Sequence, residues 1–413
     1  MSSKEMLVSI ALGSENIRIG KLWFHVRGNK ESASFEYDKG WLDHPEKFAL
    51  EPALKLTEGA FHTGQGISLF GAIGDSAPDR WGRVLMRRAE VSKASVQNRA
   101  PRSLFEIDYL LGVNDEARQG ALRFSVAPEE NVFLSPKEKT SIPPLIDLPK
   151  LLSATERFMA DNESSEDLRL LLAPGSSLGG ARPKASIRDK DGSLAIAKFP
   201  KKEDDFNVVV WEAVTLTLAK KAKIKLPAYR LEKICEKPVL IIRRFDREGA
   251  NRIPFLSAMS MLGARDNEQH SYLEMAYALA QYGAFPEEDM KELWRRIVFT
   301  IMVSNTDDHL RNHGFIYDRN KGWRLSPAYD INPTPIEIAP RILTTSIDFY
   351  DSDASLETVL RVAKDFRLNK EEALFIIKEV ASAVEQWRSV ASEFGLSKRE
   401  CDKMASAFVW ELV

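Results

Sequence analysis

Cysteine is nearly missing from this 413-residue chain, with Cys235 and Cys401 its only two, far apart in sequence. That excludes a disulfide framework and a cysteine-based zinc site, suits a reducing compartment, and leaves both residues to be read as buried thiols. Long hydrophobic runs are missing too. The longest, such as Ile297 to Val303, fall far short of the roughly 20 apolar residues that span a bilayer. The opening Met-Ser-Ser-Lys-Glu-Met-Leu lacks the basic start and apolar stretch of a secretory signal, so the expected location is the cytoplasm, with no membrane contact. Neither sign of charge dominates. With 58 basic and 60 acidic residues the net charge is -2, which excludes a global basic field that would draw the chain to nucleic acid. What is present is ordinary globular composition, 44% hydrophobic and 29% charged. A chain this long exceeds what one core usually serves, so more than one domain is the default.

Residues 6 to 37 alternate apolar and polar positions between Gly13, Gly20 and Gly28, which predicts an antiparallel sheet, followed by loops punctuated by Pro45 and Pro52. Ser76 and Asp79 form a capping-box pattern with Pro78 in the first turn, so a helix carrying Trp81 and several arginines is expected there; its plain reading is a structural helix with a solvated basic side. Leu104 to Phe124 reads as a short helix, a turn and a strand. Five prolines between Val126 and Pro149 mark a linker, and helical spacing resumes over 148–172. Asn207 to Lys220 is expected to be an amphipathic helix, and 271–303 and 355–413 are helical, with Asn369/Glu372 and Ser397/Glu400 as caps and Gly395 as a stop.

The stretch with the densest chemistry is Ser304-Asn-Thr-Asp-Asp-His-Leu-Arg-Asn-His-Gly314. Asp307 and Asn312 stand at the D-x-x-x-x-N spacing by which kinases place a carboxylate at the attacking hydroxyl and an amide oxygen on magnesium. Asp308 does not keep that spacing. Asp330, at the end of Trp323-Arg-Leu-Ser-Pro-Ala-Tyr-Asp, brings in a second carboxylate where a kinase has its metal-binding Asp. His309 and His313 lie four apart, but without a third ligand nearby zinc is not expected, and His309 is read as supporting the loop by hydrogen bonding.

A phosphate clamp is expected in Ala173-Pro-Gly-Ser-Ser-Leu-Gly-Gly-Ala-Arg-Pro-Lys184, where three glycines let the backbone approach an anion and aim amide N-H groups at it. Asp191-Gly192 then turns the chain, and Leu194 to Pro200 is a strand on which Lys198 faces away from its neighbours. A solvated lysine is the plain alternative; its place after the clamp makes Lys198 the phosphate-contacting cation, with Glu212 its candidate ion-pair partner. Lys184 and Arg182 either add charge to the clamp or lie on the surface. Pro238 to Ile242 is a continuous apolar strand leading into a hinge.

Three motifs of the N-terminal part and five of the C-terminal part together carry a resemblance. Phe35-Glu-Tyr, Asp75-Ser-Ala-Pro-Asp-Arg-Trp-Gly-Arg83 and Gly120-Ala-Leu-Arg-Phe124, followed by Gly180-Ala-Arg-Pro-Lys184, Lys198, Arg244-Phe-Asp-Arg247, Asn305 to Asn312 and Ser326-Pro-Ala-Tyr-Asp330, resemble in that order the HipA-type serine/threonine kinase toxins of bacterial toxin-antitoxin modules. The resemblance implies an α+β chain: a small N-terminal β-rich domain (1–125), a linker (126–147), and a bilobal protein-kinase-like domain whose small lobe is 148–247 and whose mostly helical large lobe is 248–413. It implies ATP and Mg2+ as cofactors and Asp307 as catalytic base, with Asn312 and Asp330 on magnesium. Lys198 would meet the phosphates. Ser177, Leu178, Gly179, Gly180, Ala181, Arg243, Phe245, His309 and Asp330 would line the nucleotide site, and Ser177, with Ser176 the alternative, would be autophosphorylated. Arg243 stands where an acidic residue is expected in such kinases. The implied partners are a protein substrate, aminoacyl-tRNA synthetases being among those of the family, and a HipB-like helix-turn-helix antitoxin that alone contacts DNA. Two rivals stand beside this reading: a small-molecule phosphotransferase of aminoglycoside-kinase type, which usually shows His-Gly-Asp where this chain has Asn-Thr-Asp, and a non-catalytic scaffold for a DNA-binding partner.

Overall fold

The computed structural model describes residues 3–126, 132–134, 142–172, 180, 182–319 and 321–410. The chain divides into two compact units, one of 1–203 with 232–256 and one of 204–231 with 257–413.

The first unit opens with the expected antiparallel strands β1 (Ser3–Leu12), β2 (Glu15–Arg27), β3 (Lys30–Tyr37) and β4 (Ala60–His62), joined by β5 (Leu122–Val126) in the order β4-β3-β2-β1-β5. Met6 lies opposite both Leu22 and Val126, so one face of three strands converges on the core. Gly20 is required by close packing: a Cβ there would meet the Glu36 carbonyl oxygen at 2.3 Å. Two one-turn helices, α1 (Lys39–Leu42) and α2 (Gly71–Gly74), precede α3 (Arg80–Val96), and α4 (Glu106–Gly112) leads to β5. α3 differs from expectation at its start. Asp79, not Ser76, is the N-cap, with its side chain accepting from the Gly82 N–H, and Pro78 lies outside the helix. Its basic side is solvated in part: Arg80, Arg87 and Lys93 are exposed, whereas Arg83 makes a bidentate pair with Glu106, and Arg88 bonds Glu163 and Asp161.

α5 (Leu148–Met159) and α6 (Ser165–Leu172) pack with α3 against the sheet of β6 (Lys184–Arg188), β7 (Leu194–Lys198), β8 (Tyr229–Ile234) and β9 (Lys237–Arg243), ordered β6-β7-β9-β8. Their shared core holds Trp81, Leu85, Leu151, Phe158, Ile187 and Val239. A two-residue ribbon, β10 (Arg247–Glu248) with β11 (Asn251–Arg252), follows the hinge. Cys235 corrects the reading of both thiols as buried: it is exposed, at a positive φ of 47° in the β8–β9 turn, while Cys401 is buried.

The second unit is mostly helical. α7 (Val208–Lys221) is buried on nearly every side rather than amphipathic, so Glu212 is a buried carboxylate, not an exposed one. α8 (Ala258–Leu262), α9 (Tyr272–Tyr282), α10 (Pro286–Met302), α11 (Leu356–Arg361), α12 (Lys370–Val384), α13 (Trp387–Glu393) and α14 (Lys398–Met404) complete it. Asn369/Glu372 and Ser397/Glu400 form capping boxes as expected, and Gly395 takes a left-handed φ of 78° after α13. The sheet-rich N-terminal part and helical C-terminal part match the α+β expectation. No helix among the described residues is long and apolar enough to cross a membrane.

Glu51 gives a stability prediction. It is buried and accepts the Ala72 N–H at 2.6 Å; burial pushes its carboxyl up from 4.5 to about 7, against that hydrogen bond and helped by the nearby Asp75 charge. A carboxyl whose folded pKa is raised holds its proton more tightly when folded, so its stabilising contribution is complete below pH 4.5 and is lost as pH rises through about 7. Glu51→Gln keeps the acceptor and removes the charge. Chemical denaturation should find the variant more stable than the parent at pH 8, by up to about 3 kcal/mol, and equal to it near pH 4. A parent advantage at pH 8 would contradict this.

Candidate active site

α10 is buried from Glu292 through its C-terminus, and the chain leaves it through Ser304, which takes a left-handed φ of 50°. The loop that follows is pinned through its backbone. The Ser304 carbonyl accepts the Thr334 N–H at 3.0 Å, the Thr306 carbonyl accepts the Thr344 N–H at 3.0 Å and hydroxyl at 2.9 Å, and the Asp308 carbonyl accepts the Thr345 hydroxyl at 2.6 Å. Pinning by carbonyls keeps side chains available for other work.

Spacing separates Asp307 from Asp308, and the fold separates them physically. Asp307 is exposed, and its carbonyl accepts the His309 N–H and the Asn312 side-chain N–H, both at 3.0 Å. Asp308 is buried. It accepts the Tyr272 hydroxyl at 2.5 Å and faces His313 Nε2 at 3.0 Å, with the Thr300 hydroxyl at 3.4 Å. Burial alone would raise the Asp308 carboxyl, but the His313 imidazole and the Tyr272 hydroxyl hold it below its usual range; burial beside that charge pushes Tyr272 well above its own. Asp308 is therefore committed to holding the loop on α9 and α10.

Asn312 ends the short 3-10 turn Leu310–Asn312, ahead of the hairpin of Gly314–Asp318 with Gly322–Leu325. Its Nδ2 is used on the Asp307 carbonyl, while its buried Oδ1 has no protein partner. A buried amide oxygen left open is costly unless something else meets it. Asp330 sits beyond the hairpin at a left-handed φ of 59°, unusual for a residue with a side chain and a mark of functional constraint. Asn332 Nδ2 lies 3.5 Å from its Oδ1, and the Asn332 N–H donates to Asn305 Oδ1 at 3.2 Å, tying the segment after Asp330 to the loop. An open amide oxygen and a constrained carboxylate are the hard oxygen donors magnesium takes, so the residues present fit that ion. His309 Nδ1 is likewise buried without a protein partner.

The other expected site residues belong to the first unit. Lys198 ends β7, flanked by the fully buried Ala197 and Phe199, and is itself partly exposed, as its facing predicts. Arg243 ends β9 exposed, with Nη1 3.7 Å from Asp191 Oδ2, and the Phe245 ring lies 6.1 Å from that of Phe255. Gly180 takes a positive φ of 59°. Ser176, Ser177, Leu178, Gly179 and Ala181 lie outside the described residues.

Sequence reading missed Tyr272, His313, Thr344, Thr345 and Asn332 as supports of the loop, since nothing local marks them. It left Lys184 open between clamp and surface: the residue is buried and its Nζ donates to Asp79 Oδ2 at 2.9 Å and to the Gly180 carbonyl at 3.2 Å.

Comparison with known proteins fits this layout. A family model described as the HipA-like C-terminal domain matches residues 176–388. A protein named putative kinase from Haemophilus influenzae is 27% identical over 189 residues, 39% of this chain, and the chain spans only about half (54%) of that relative's length. Putative kinase Y4mE of Sinorhizobium fredii is 24% identical over 330 residues, covering 73% of this chain and 72% of the relative. Among solved structures, a chain of the Shewanella oneidensis MR-1 toxin-antitoxin complex of HipA, HipB and operator DNA superposes with a TM-score of 0.66 at 16% identity, over 97% of this chain and 94% of the other, which establishes likeness of fold.

The two neighbouring aspartates give opposite expectations. Asp308→Asn breaks a buried charged network and should lower stability by about 3 kcal/mol or more, read as a shifted denaturation midpoint, whereas exposed Asp307→Asn should leave the midpoint within about 0.5 kcal/mol of the parent. Equal midpoints in the two variants would contradict the assignment.

Proposed function

The chain belongs to the HipA-like C-terminal domain family, and from that premise we propose that it is an ATP- and magnesium-dependent serine/threonine protein kinase, a HipA-like toxin that phosphorylates a host protein and itself. The observation that carries the reading is the pairing, within one pinned loop, of an exposed Asp307 carboxylate with a buried Asn312 Oδ1 that has no protein partner. A scaffold has no use for that open amide oxygen.

In the reaction the substrate hydroxyl oxygen attacks the γ-phosphorus, its proton passes to the Asp307 carboxylate, and the bond to the β-phosphate oxygen breaks to release ADP. Asn312 Oδ1 and the Asp330 carboxylate would hold magnesium, which would supply neutralisation of charge on the phosphate oxygens. Lys198 orients the phosphates as a point charge. Gly180 and its neighbours Ser177 to Ala181 cradle them through backbone N–H groups, and the hinge at Arg243 and Phe245 receives adenine through its backbone. Asp308, Tyr272 and His313 keep the base in register without touching substrate.

The substrate class is a protein hydroxyl, with aminoacyl-tRNA synthetases the first candidates by family resemblance. A HipB-like antitoxin is the proposed restraint. Its support is the fold shared with a chain from a HipA–HipB–operator complex, together with a net charge of -2 that leaves DNA affinity to a partner. A phosphate on Ser177 would add a charge of roughly -1.5 to -2 at neutral pH beside the ATP phosphates, shutting the site by repulsion; Ser176 is the alternative acceptor.

Two measurements test this. Asp330→Asn should weaken ATP binding in the presence of magnesium by about tenfold or more while leaving metal-free binding nearly unchanged; an unaltered magnesium dependence removes Asp330 from the metal site. Incubation of the purified protein with labelled ATP and host lysate should label a protein band and, by mass mapping, Ser177 of the kinase itself, with ATP affinity reduced afterwards. Label on small molecules alone would favour the phosphotransferase reading.

A further inference from the structure

Lys184 is the first residue of β6 and the partner, in strand register, of Lys198 on β7. It is also four residues past Gly180 in the glycine-rich stretch. A lysine here would be expected to reach for solvent or phosphate, yet its side chain is turned inward and buried, with only 4% of its surface exposed. Its ammonium donates to Asp79 Oδ2 at 2.9 Å and to the Gly180 carbonyl at 3.2 Å. Asp79 comes from a distant part of the sequence. It uses its other oxygen, Oδ1, to cap α3 through the Gly82 N–H at 2.9 Å. Two residues on, the Trp81 indole donates to the Lys184 carbonyl at 2.9 Å, with its ring packed edge-on to Phe158 at 5.0 Å. The first turn of α3 thus holds Lys184 by side chain and by backbone, and Lys184 holds Gly180.

We propose that Asp79 and Lys184 are positioning residues for nucleotide binding: the ion pair fixes the Gly180 peptide and the start of β6, and so sets Gly180 and Lys198 in the geometry the phosphates need. The assignment rests on the reading of Gly180 and Lys198 as phosphate-binding groups. It makes the Asp-Arg-Trp-Gly segment of the N-terminal part a component of the nucleotide site without contact to the ligand. Chemistry favours this over simple packing. A buried ion pair can usually be replaced by apolar groups of similar volume with no loss of stability, so stability alone does not call for a lysine and an aspartate here. An apolar side chain could fill the volume, but it could not direct the carbonyl of a glycine at φ 59°.

The double variant Asp79→Asn/Lys184→Met tests this directly. The introduced asparagine can still cap α3 and the introduced methionine fills the space of the lysine, so the denaturation midpoint should stay close to the parent's. Affinity for Mg-ATP, measured by calorimetry, should nevertheless fall by about tenfold or more, and amide exchange in nucleotide-free peptides covering 182–188 should quicken. Asp79→Asn alone, which keeps the lysine and the cap, serves should the double variant fail to fold; it should weaken Mg-ATP binding by about threefold or more. Arg83→Gln, on the same helix α3 as the Asp79 cap, is the control, since it breaks the pair with Glu106 of α4 without touching Lys184, and should lower stability with Mg-ATP affinity unchanged. Folded variants that bind Mg-ATP as the parent does, with unchanged exchange, overturn the positioning assignment, as does an equal loss of affinity in Arg83→Gln. A parent protein that binds no Mg-ATP overturns the kinase reading itself.

Discussion

The first unit depends on one carboxylate. Asp246 is completely buried, and it is tolerated there because Arg244 Nε meets Oδ1 at 2.8 Å, Arg247 Nη1 meets Oδ2 at 2.8 Å, and the Gly120 N–H donates to Oδ2 at 2.8 Å. Burial alone would raise its pKa; the two guanidinium groups overcome that and hold it far below the usual carboxylate range. The arginines spend their remaining N–H groups on the carbonyls of Glu116, Ala117, Arg118 and Gly120. A loop of the N-terminal part is thereby fastened to the strand end that follows β9. Gly120 is forced by the same contact: its φ is +71°, and a Cβ would come within 3.2 Å of the Phe255 nitrogen. Removing one member of such a set leaves a buried charge without compensation, which is more damaging than never having had the set.

The loop of residues 304–313 in the second unit obeys the same rule with a different result. Asp308, Tyr272 and His313 form a closed set in which the buried charge is met, and four donors from Thr334, Thr344 and Thr345 tie the loop's carbonyls down. Rigidity of this kind is what lets the buried Asn312 Oδ1 be held at a fixed position without a protein partner among the described residues. Adjacent aspartates thus divide the labour. One is consumed by the fold, and the other is presented to solvent.

Much of this was legible from local pattern. Alternation gave the N-terminal sheet, helical spacing with Asn369/Glu372 and Ser397/Glu400 gave the capped helices, and Asp191-Gly192 gave the β6–β7 turn, because each depends on neighbours a few residues away. The choice of Asp307 over Asp308 came from spacing alone; the structure adds that Asp307 is exposed and Asp308 buried. What escaped was everything set by contacts across a hundred residues or so. Asp79 reads locally as part of a capping signal, and it is the N-cap, but its second oxygen faces Lys184 and nothing near it in sequence says so. Glu212 lies in a run whose apolar residues surround the helix, so burial was visible in principle in Val208-Val-Val-Trp and was outweighed by the abundance of exposed helix glutamates. Cys235 was misplaced for the opposite reason: cysteines are usually buried, but this one occupies a turn position with φ 47°.

Buried polar groups then sort the motifs by role. The Asp-Arg-Trp-Gly segment meets Lys184, and Gly120 meets Arg244-Phe-Asp-Arg247; each buried carboxylate in these pairs ends on a named partner, so the motifs that lie far apart in sequence are the two halves of single structural clasps. The loop after α10 is different. Ser304 Oγ, Asn305 Nδ2, His309 Nδ1 and Asn312 Oδ1 are all buried there without a protein partner among the described residues, as is Asn332 Oδ1 just beyond Asp330. Native proteins leave few such groups, and to gather five in one loop and its tie would be a large standing cost in a purely structural element. Closed sets of charge therefore mark where this chain is braced, even with Arg118 Nε, Gln119 Nε2 and Arg252 Nη1 unpartnered near the Asp246 clasp, and the open atoms after α10 differ in being gathered on one pinned loop and its tie.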